Sequence, residues 1–569
     1  MNHTIELLFT KAHQHHQDGQ LPQAMSLYEQ LLSQSAHHQE ALRGIGIAHM
    51  QLGDMNRAIS YFEQALALYP MDANLHSNLA NAYKNTLEVD KAIHHYQQAL
   101  RLDPASAQAN NNLATIYASQ DNFQQALKHY CAALHAAPDF TAAHYNLGLL
   151  LLKQKELMAA QKQFNNVITL NPEHLNAQFY LGVLSLDVNL LDEAELAFNQ
   201  VLTLNGEHVQ SLTNLGVIAL KRDQGQLAVD FFTRALTFDQ HHIDARNNLA
   251  ATFMHHDRFE NALMHYDVLL CQDPHNEEYL YNMGVAQMAL GHLTEATAHF
   301  ETIVTITDKH FAALNNLAAI QMRLDHRDEA VVLLKRALNA NPNDAASQFM
   351  LHALTGNETH PNACPDYAKN LFNNYALYYE EHMQNILKYT LPQQISRVLH
   401  ELNYLQVNRT IDLGCGTGLS GIVLRESSKH LIGVDIAAKM LSHAKEKGIY
   451  DELIEAELIA FLQNDKRHYD LAVAADVLPY LGDLEPLFSA IRPRLTDGSL
   501  FILTSEVSTT APWQLQNSVR FSHHPDYIQS LCTQHNMQLI YQKKIVARQQ
   551  TGHDLDVVLY ALLAQSKCP

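Results

Sequence analysis

The sequence predicts a fold in two parts: an all-α superhelix of about ten 34-residue repeats, then an α/β domain with a doubly wound parallel sheet. Three observations predict it. A 34-residue period runs from Leu7 to Ala346, apolar strand-like runs alternate with helical stretches after Thr410, and a glycine-rich segment follows the first of those runs. We place the repeats in residues 1–356, a linker in 357–366 and the second domain in 367–569, with a lid segment over 367–405 and a core over 406–569.

The charge and cysteine pattern limits the partners. Residues 1–360 hold 20 basic and 37 acidic residues, and residues 361–569 hold 18 and 22, which together give the net charge of −21. Such a surface repels phosphate backbones, so we expect no nucleic-acid partner. No apolar run is long enough for a membrane span. Six scattered cysteines without a CxxC pair indicate a reducing cytoplasm and no metal site, and the oligomeric state stays open.

Each 34-residue line carries small and aromatic residues at fixed positions. Position six is always Gly or Ala, position eighteen is always Ala, and position twenty-two is aromatic in nine lines of ten. This pattern predicts two amphipathic helices per line, with the small residues allowing close approach and the aromatic ring filling the space beside them. A single helical hairpin cannot bury its apolar face, so neighbouring lines must stack. The pattern resembles the tetratricopeptide-repeat family over about 340 residues, and residues 347–356 are predicted to cap the last repeat.

Asparagine recurs at position four of seven lines. The seven residues are Asn78, Asn112, Asn146, Asn214, Asn248, Asn282 and Asn316. Since asparagine is a mediocre helix former, the recurrence needs a reason. In superhelical repeats of the O-linked N-acetylglucosamine transferase type, matching asparagines line a groove and hydrogen-bond an extended peptide, which implies a protein or peptide partner here. The alternative is that these side chains cap or space helices locally.

The second domain begins after a turn-rich stretch, GNETHPNACPD at 356–366. Four apolar runs (RTIDLG, HLIGVD, YDLAVAAD and GSLFILTS) read as buried parallel strands separated by single crossover helices. The last two runs, QLIYQKKIVARQQ and DLDVVLYALLAQ, are joined by a short turn and should form an antiparallel hairpin.

The glycine-rich segment is D-L-G-C-G-T-G, from Asp412 through Cys415 to Gly418. Glycines at this strand-to-helix turn let the backbone approach a ligand, and an acid at the end of the next strand, Asp435, can accept both ribose hydroxyls of a nucleoside. With V-D-I at 434–436 and A-A-D-V-L at 474–478, the segment resembles the class I methyltransferases, which use S-adenosyl-L-methionine.

That resemblance implies roles for individual residues. The cofactor-binding set is Asp412, Gly414, Cys415, Gly416, Gly418, Asp435, Ile436 and Glu457. The glycines would face the methionine part, and Asp412 would hold its amino group directly or through water. Asp435 would take the ribose hydroxyls, Ile436 would pack on adenine and Glu457 would lie near the adenine amino group. The alternative for Glu457 is solvation of a helix start.

Two residues are candidates for catalysis. Asp476 ends the fourth strand and would orient an acceptor amine, or else cap the next helix. His523 stands just before a predicted helix and would act as a general base, or else flank that helix, with His524 as an equal candidate. Transfer of a methyl group depends mainly on positioning, so a dedicated base need not exist.

The second domain also resembles a group of bacterial predicted methyltransferases that carry tetratricopeptide repeats. The resemblance starts at YAKNLFNNYA (367–376) and continues through YLGDL (480–484) to RFSH (520–523). It implies a lid in which Tyr367, Tyr375 and Tyr379 close the site, or else only pack helices. The chain departs from the group at two places. The group tends to have an acid where this chain has Asn373–Asn374, and it tends to have Asp where this chain has Glu457.

Three functions remain open at this stage. The first is a methyltransferase whose repeats recruit a protein client and present one of its side chains. The second is a small-molecule or sugar-intermediate methyltransferase that the repeats dock onto a biosynthetic complex. The third is a non-catalytic scaffold, against which the intact glycine segment and Asp435 argue.

Overall fold

The computed structural model describes residues 2–356, 362–550 and 553–566. By packing, the chain divides into two units, Met1–Ala245 and Arg246–Pro569. This division falls inside the predicted superhelix, because the last repeats pack with the second domain in one unit. Residues 357–361 of the predicted linker lie outside the described residues, so the predicted domain boundary stays a prediction.

The first unit consists of paired helices, as the 34-residue period predicts. They are α1 (Asn2–Gln17), α2 (Leu21–Gln34), α3 (Gln39–Gln51), α4 (Met55–Leu68), α5 (Ala73–Asn85), α6 (Val89–Leu102), α7 (Ala107–Ser119), α8 (Phe123–Ala136), α9 (Thr141–Lys153), α10 (Leu157–Leu170), α11 (Leu175–Asp187), α12 (Leu191–Leu204), α13 (Val209–Lys221) and α14 (Gly225–Phe238). Helix α15 (Ile243–His255) runs across the boundary between the units.

Glycine at position six is a packing requirement. A Cβ atom on Gly46 would stand 2.5 Å from Cε1 of Phe62, and one on Gly216 would stand 2.4 Å from the same atom of Phe232. Every line with glycine at this position has phenylalanine at position twenty-two, whereas every line with tyrosine there has alanine. The phenylalanine ring therefore occupies the space that a Cβ atom would need.

The turns within the repeats share one backbone conformation. A residue with positive φ recurs every 34 residues, between the two helices of each line. In the first unit these residues are Gly19, Gly53, Leu87, Asp121, Lys155, Asn189 and Asp223. Glycine adopts this conformation without strain, while Leu87 and Lys155 must be held in it by the packed helices on either side.

In the second unit the repeats continue and end in a capping helix. The helices are α16 (Phe259–Gln272), α17 (Glu277–Ala289), α18 (Leu293–Ile306), α19 (Phe311–Arg323), α20 (Arg327–Ala340) and α21 (Ala345–Thr355). The cap was predicted at 347–356; it begins two residues earlier because Asp344 accepts a hydrogen bond from the backbone N–H of Ser347 and starts the helix.

A parallel sheet forms the core of the second domain. Its strands are β1 (Val407–Leu413), β2 (Ser428–Asp435), β3 (Glu452–Glu455), β4 (Tyr469–Ala474), β5 (Leu495–Val507), β6 (Trp513–Leu515), β7 (Phe521–His523), β8 (Met537–Gln550) and β9 (His553–Ala564). Strands β3, β2, β1, β4 and β5 lie side by side and parallel, and β9 joins β5 antiparallel and pairs with β8. The predicted alternation and terminal hairpin are both confirmed.

Helices cover both faces of this sheet. They are α22 (Pro365–Tyr375), α23 (Tyr379–Glu381), α24 (Leu391–Glu401), α25 (Leu419–Ser427), α26 (Ala438–Glu446), α27 (Leu458–Asn464), α28 (Glu485–Ile491) and α29 (Pro525–Gln534). A π-helical turn, His382–Ile386, continues α23. Such π-helical turns are rare in proteins, and those that occur are often found at functional sites.

The short strands β6 and β7 were not predicted. Strand β7 extends the sheet from the end of β5 and pairs antiparallel with β6. Val519 and Phe521, at this hairpin, pack against Leu334, Phe349 and Met350 of α20 and α21. The hairpin thus attaches the last repeat to the sheet. Segments of three residues carry too little periodicity to be recognised in a sequence.

Within the described part of the chain, every helix is too short or too polar to span a lipid bilayer. Over the same residues, no cluster of three or more His, Cys, Asp or Glu side chains is arranged to hold a metal ion.

Candidate functional site

The glycine loop lies at the carboxyl end of β1. Gly414, Gly416 and Gly418 have φ values of 69°, 55° and 89°, in the left-handed region that favours glycine. A Cβ atom on Gly414 would also stand 2.2 Å from Cγ2 of Val477. The loop therefore presents bare backbone just before the first turn of α25, where main-chain N–H groups have no helical partner.

Asp435 is anchored beside this loop. Its carboxylate accepts hydrogen bonds from the backbone N–H of Gly416, at 2.8 Å, and from that of Ala437, at 2.9 Å. Burial raises the pKa of Asp435, and these N–H groups offset part of the rise. The geometry fixes one acid at the end of β2, against the glycine loop.

Asp412 lies beneath the loop. Only 1% of its surface is exposed, and its carboxylate accepts a 2.7 Å hydrogen bond from the hydroxyl of Tyr450. Burial raises the pKa of Asp412 to about 7. The Tyr450 hydrogen bond offsets part of this rise, whereas the negative charge of Asp435 adds to it. The Tyr450 side chain fits closely against Gly421 and Gly433, where a Cβ atom would approach its hydroxyl oxygen to 2.2 Å and its Cε1 to 2.9 Å, respectively. The sequence analysis did not identify Tyr450.

A cavity of about 800 Å³ opens beside the loop and Asp435. Gly414, Gly416, Asp435, Ile436 and Glu457 line it. Met440 and Ile459 add apolar surface to the same end. This volume is within the range of ligand sites, and five of the predicted cofactor residues belong to its wall.

Three other predicted cofactor residues are not part of that wall. Asp412, Cys415 and Gly418 do not line the cavity. Cys415 is 5% exposed, and burial raises the pKa of its thiol well above the usual range. A Cβ atom on Gly418 would stand 3.1 Å from the Tyr450 ring. Asp412 thus belongs to the end of β1, and Cys415 and Gly418 to the loop, without bordering the cavity.

Glu457 has two contacts that bear on its alternatives. It lines the cavity, and its carboxylate also accepts hydrogen bonds from the backbone N–H of Ile459, at 3.0 Å, and of Ala460, at 2.7 Å. The side chain therefore caps the start of α27, as the structural alternative holds, while it borders the adenine end of the predicted site.

Asp476 also lines the cavity and is held by two arginines. Its carboxylate forms ion pairs with Arg520, at 2.7 Å, and with Arg548, and its side chain is 14% exposed. Burial would raise the pKa of Asp476, but the two guanidinium groups outweigh burial and hold the pKa below its usual range. Asp476 thus neither caps a helix nor presents a free carboxylate to an amine. Its own φ of 56° marks a strained position of the kind found at functional sites.

His523 lies away from the cavity. It is fully buried at the end of β7, where its Nδ1 bonds with Ser505 Oγ at 2.7 Å and its Nε2 with the carbonyl oxygen of Leu481 at 2.8 Å. Burial lowers the pKa of His523 to about 4. With both ring nitrogens occupied, His523 is not placed to act as a base. Its neighbour His524 accepts a hydrogen bond from the N–H of Asp526 and flanks α29.

The segment before β1 supplies a wall of aromatic side chains. Tyr375 and Tyr379 line the cavity together with His382, whose Nδ1 bonds with the Tyr375 hydroxyl. Tyr367 instead packs on Phe349 of the capping helix, with ring centroids 5.4 Å apart. Two of the three predicted lid tyrosines therefore border the cavity, and the third follows the packing alternative. At the predicted departure from the family pattern, the Asn373 side chain accepts a 3.1 Å hydrogen bond from the backbone N–H of Lys439, while the Asn374 side chain lies outside the description.

Three arginines in the cavity wall were missed by the sequence analysis as site residues. Arg520 precedes β7, Arg548 lies in β8, and Arg323 ends α19 in the last repeat. A register shift between Val546 and Arg548 interrupts the pairing of β8 with β9 and turns the Arg548 side chain. Strand β8 reads MQLIYQKKIVARQQ and is rich in polar and charged residues, so Arg548 does not stand out in the sequence. Nothing in the sequence distinguishes Arg323.

The position-four asparagines are all half-buried, and several bond to the preceding repeat. In the first unit, Asn112 donates to Asn81 at 2.9 Å and Asn146 donates to Asn111 at 3.1 Å. In the second unit, Asn282 donates to the hydroxyl of Tyr266 at 3.0 Å. Asn78, Asn214, Asn248 and Asn316 share the same degree of burial. These bonds agree with the local-spacing alternative, and peptide binding remains a prediction.

Family comparisons match both parts of the chain. A model described as a methyltransferase domain matches residues 411–501, and tetratricopeptide-repeat models match residues 15–82, 73–106 and 287–354. A model described as the Est1 DNA/RNA binding domain matches residues 92–196, which form helices of the same repeats.

Individual proteins resemble parts of the chain. The 18S rRNA (guanine-N(7))-methyltransferase RID2 of Arabidopsis thaliana is 34% identical over 85 residues, which are 15% of this chain and 29% of that protein. The chain thus spans less than a third of that relative's length. YrrB, a tetratricopeptide-repeat protein with an unusual peptide-binding site, is 25% identical over 32% of this chain and 95% of its own (TM-score 0.30). Pseudomonas aeruginosa PilF is 20% identical over 37% and 97% (TM-score 0.35).

The domain matches and the observed architecture agree. The methyltransferase model covers the strands β1, β2, β3 and β4 with the glycine loop and Asp435, and the repeat models cover helix pairs on either side of the unit boundary. The chain is therefore a tetratricopeptide-repeat protein that carries a C-terminal methyltransferase domain.

Proposed function

We propose that this protein is an S-adenosyl-L-methionine-dependent methyltransferase whose repeats recruit a protein client and present it for methylation. The observation that carries the proposal is the fixed position of Asp435 against the glycine loop, at the wall of an 800 Å³ cavity. A methyltransferase fold alone would be a weaker argument, because one fold can host many functions, whereas the residues of a site define its chemistry.

The residues at this end of the cavity fit the methyl donor. Asp435 offers carboxylate oxygens to the two ribose hydroxyls, and Gly414 and Gly416 leave room for the methionine part. Ile436 and Met440 provide apolar surface for adenine, with Glu457 beside them. The donor supplies an electrophilic methyl group on a sulfonium centre. The protein's own contribution is to bind the donor, orient the acceptor and exclude water.

A protein client is supported by the repeats and by a second cavity of about 220 Å³ in the same unit as the methyltransferase domain. Asn282 and Asn316 of the predicted peptide-binding series line it, with Leu377 and Lys439 of the methyltransferase domain on its other side. Lys439 also pairs with Asp257 of the repeats. A segment bound along these repeats would therefore end beside the segment that borders the donor cavity.

A small-molecule acceptor is the second candidate, and the depth of the first cavity favours it. Tyr379 and Asp476, whose side chain is 14% exposed, line its wall, so a compact acceptor fits better there than a folded surface. An RNA acceptor, as the name of the Arabidopsis relative describes for that protein, is a third outcome that a labelling experiment would detect.

The first experiment is calorimetric binding of S-adenosylmethionine and S-adenosylhomocysteine to the full chain, to Asp435→Asn and to Asp470→Asn. Asp470 is a matched control, because its carboxylate also accepts two backbone N–H bonds, from Asn408 and Arg409, but at the opposite edge of the sheet. We expect Asp435→Asn to weaken binding at least about tenfold, equivalent to one lost charged hydrogen bond, and Asp470→Asn to leave it unchanged. If the folded wild-type protein bound neither compound, the proposal would be wrong and a non-catalytic scaffold would be favoured instead.

The acceptor class is tested by incubating cell lysate with the full chain and donor carrying a labelled methyl group. Label in the protein fraction that falls in Asn282→Ala and Asn316→Ala supports recruitment by the repeats. Label confined to small molecules, or to RNA, would contradict the protein client while leaving the methyltransferase function in place. Asp435→Asn serves as the inactive control.

A further inference from the structure

The part of the cavity wall that holds Arg323, Arg520 and Arg548 carries more positive charge than its acids neutralise. Each of the three guanidinium nitrogens of Arg520 has a partner: it pairs with Glu506 at 2.6 Å and with Asp476 at 2.7 Å, and it donates to the hydroxyl of Tyr480 at 3.2 Å. Arg548 pairs with the same Asp476. Arg323 has no carboxylate within ion-pair distance over the described residues, and its guanidinium lies 5.1 Å from the Tyr378 ring centre. Three cations thus face two acids.

Arg548 has donors left to offer. Its side chain is 8% exposed and lines the cavity, and only one of its nitrogens forms an ion pair within the described chain. Both Arg548 and Arg323 lie near His382, whose pKa is lowered first by burial and then by these two guanidiniums. A buried guanidinium with unused N–H groups at a cavity wall is suited to bind a planar oxyanion through two parallel hydrogen bonds.

Other acceptor groups fit this environment poorly. A protonated amine would be repelled by the surplus guanidinium and would need a base before it could react. Asp476 is held in ion pairs, and His382, with its lowered pKa, is a weak base. A carboxyl group has a pKa of about 4 and is ionised at neutral pH, so it needs no base before it reacts.

We propose that the methyl acceptor carries a carboxylate, that Arg548 and Arg323 bind it, and that this carboxylate is the group methylated. A lone pair of a carboxylate oxygen forms the new O–CH₃ bond, the C–S bond of the donor breaks, and its electron pair stays on sulfur as a neutral thioether, so no proton moves. Arg323 belongs to the last repeat, so the repeats complete the acceptor site. This inference rests on the proposed methyltransferase function.

The test measures anion binding apart from catalysis. The full chain is saturated with S-adenosylhomocysteine and titrated with succinate, with succinamide as the uncharged probe and 1,4-diaminobutane as the cationic one. We expect succinate alone to bind, and Arg323→Gln and Arg548→Gln each to weaken it at least about tenfold. Arg336→Gln, at an exposed arginine of the same repeat that pairs with Asp308, is the matched control and should change nothing.

Several outcomes would overturn the proposal. Absence of succinate binding, binding unaffected by both substitutions, or preference for the diamine would each do so. Equal loss of S-adenosylhomocysteine affinity in Arg323→Gln would show that this guanidinium holds the carboxylate of the donor instead. Because Arg323 is exposed at the end of a helix, its variant should fold even if Arg548→Gln, which loosens a buried ion pair, does not.

The product provides a second readout. Methyl esters release methanol in mild alkali, whereas methylated amines do not. Labelled lysate products that release volatile methanol, and that fall with Arg323→Gln, support carboxylate methylation. An alkali-stable label would overturn the inference while the proposed methyltransferase function stands, and failure of donor binding would remove that function itself.

Discussion

The two ends of the large cavity are built in different ways. The proposed donor end is formed by residues that are close in sequence, with Gly416 and Gly414 only 19 and 21 positions before Asp435, at the carboxyl ends of two adjacent parallel strands. The proposed acceptor end gathers Arg323, Asp476 and Arg548 from a repeat helix, a strand end and a bulged strand. Local backbone geometry specifies the first end, whereas long-range packing specifies the second, so they should fail independently.

The largest expected effect is at Gly414. Gly414→Ala should abolish donor binding, because a side chain at φ 69° is strained by about 1–2 kcal/mol and its Cβ atom would collide with Val477. Gly448→Ala is the matched control, since Gly448 has φ 63° but open space around its Cβ position. Calorimetry with S-adenosylhomocysteine measures the first effect and chemical denaturation the strain. Equal losses of donor affinity in both variants would show that Val477 is irrelevant.

A middle-sized effect is expected beneath the loop. Tyr450→Phe removes the hydrogen bond to Asp412 and should reduce the free energy of unfolding by about 1–3 kcal/mol at pH 8. Because the folded-state pKa of Asp412 is raised to about 7, its contribution to stability is fully present below about pH 4 and is lost as the pH rises toward 7. Losing the Tyr450 hydroxyl, which donates a hydrogen bond to the Asp412 carboxylate, raises the pKa of Asp412 further. The loss of stability in the variant should therefore grow between pH 5 and pH 8.

Denaturation of wild type, Tyr450→Phe and the double variant with Asp412→Asn tests this explanation. The pH-dependent part of the deficit should disappear in the double variant, since an amide does not titrate. A deficit that stays constant with pH in Tyr450→Phe would mean that ring packing against Gly421 and Gly433 dominates, rather than the hydroxyl.

The smallest effect on turnover is expected at His523. His523→Gln should leave donor affinity and methyl transfer per folded molecule unchanged, although it should lower the free energy of unfolding by about 1–2 kcal/mol. Its pKa of about 4 in the folded state lies below the usual 6.5, so wild type loses stability as pH falls from about 6.5 to 4, and the variant should lose less. His524→Gln is the control. A specific loss of turnover in His523→Gln would restore the base hypothesis.

The sequence predicted the repeats, the parallel sheet, the terminal hairpin and the Asp435 wall, because each depends on periodicity or on short-range spacing. It did not predict Tyr450, whose role depends on the close approach of Gly421 and Gly433. Nor did it identify the arginines as site residues, since their convergence depends on the β6–β7 hairpin and on the packing of α21. Asp476 was found by its place at a strand end, but its ion pairs required knowledge of residues 44 and 72 positions away.

The contact between the β6–β7 hairpin and the last repeat limits how this chain can be shortened or recombined. Over the described residues, Arg323 is the first along the chain that borders the large cavity, so repeats before the last one can be trimmed from the amino end without removing part of its wall. A cut after Thr355, in contrast, would strip Arg323 from the wall and expose Phe521 and Val519, which pack against the final repeat. We therefore expect the methyltransferase domain to need the last repeat, so a shortened or recombined chain should keep the helices that supply Arg323 and cover Phe521.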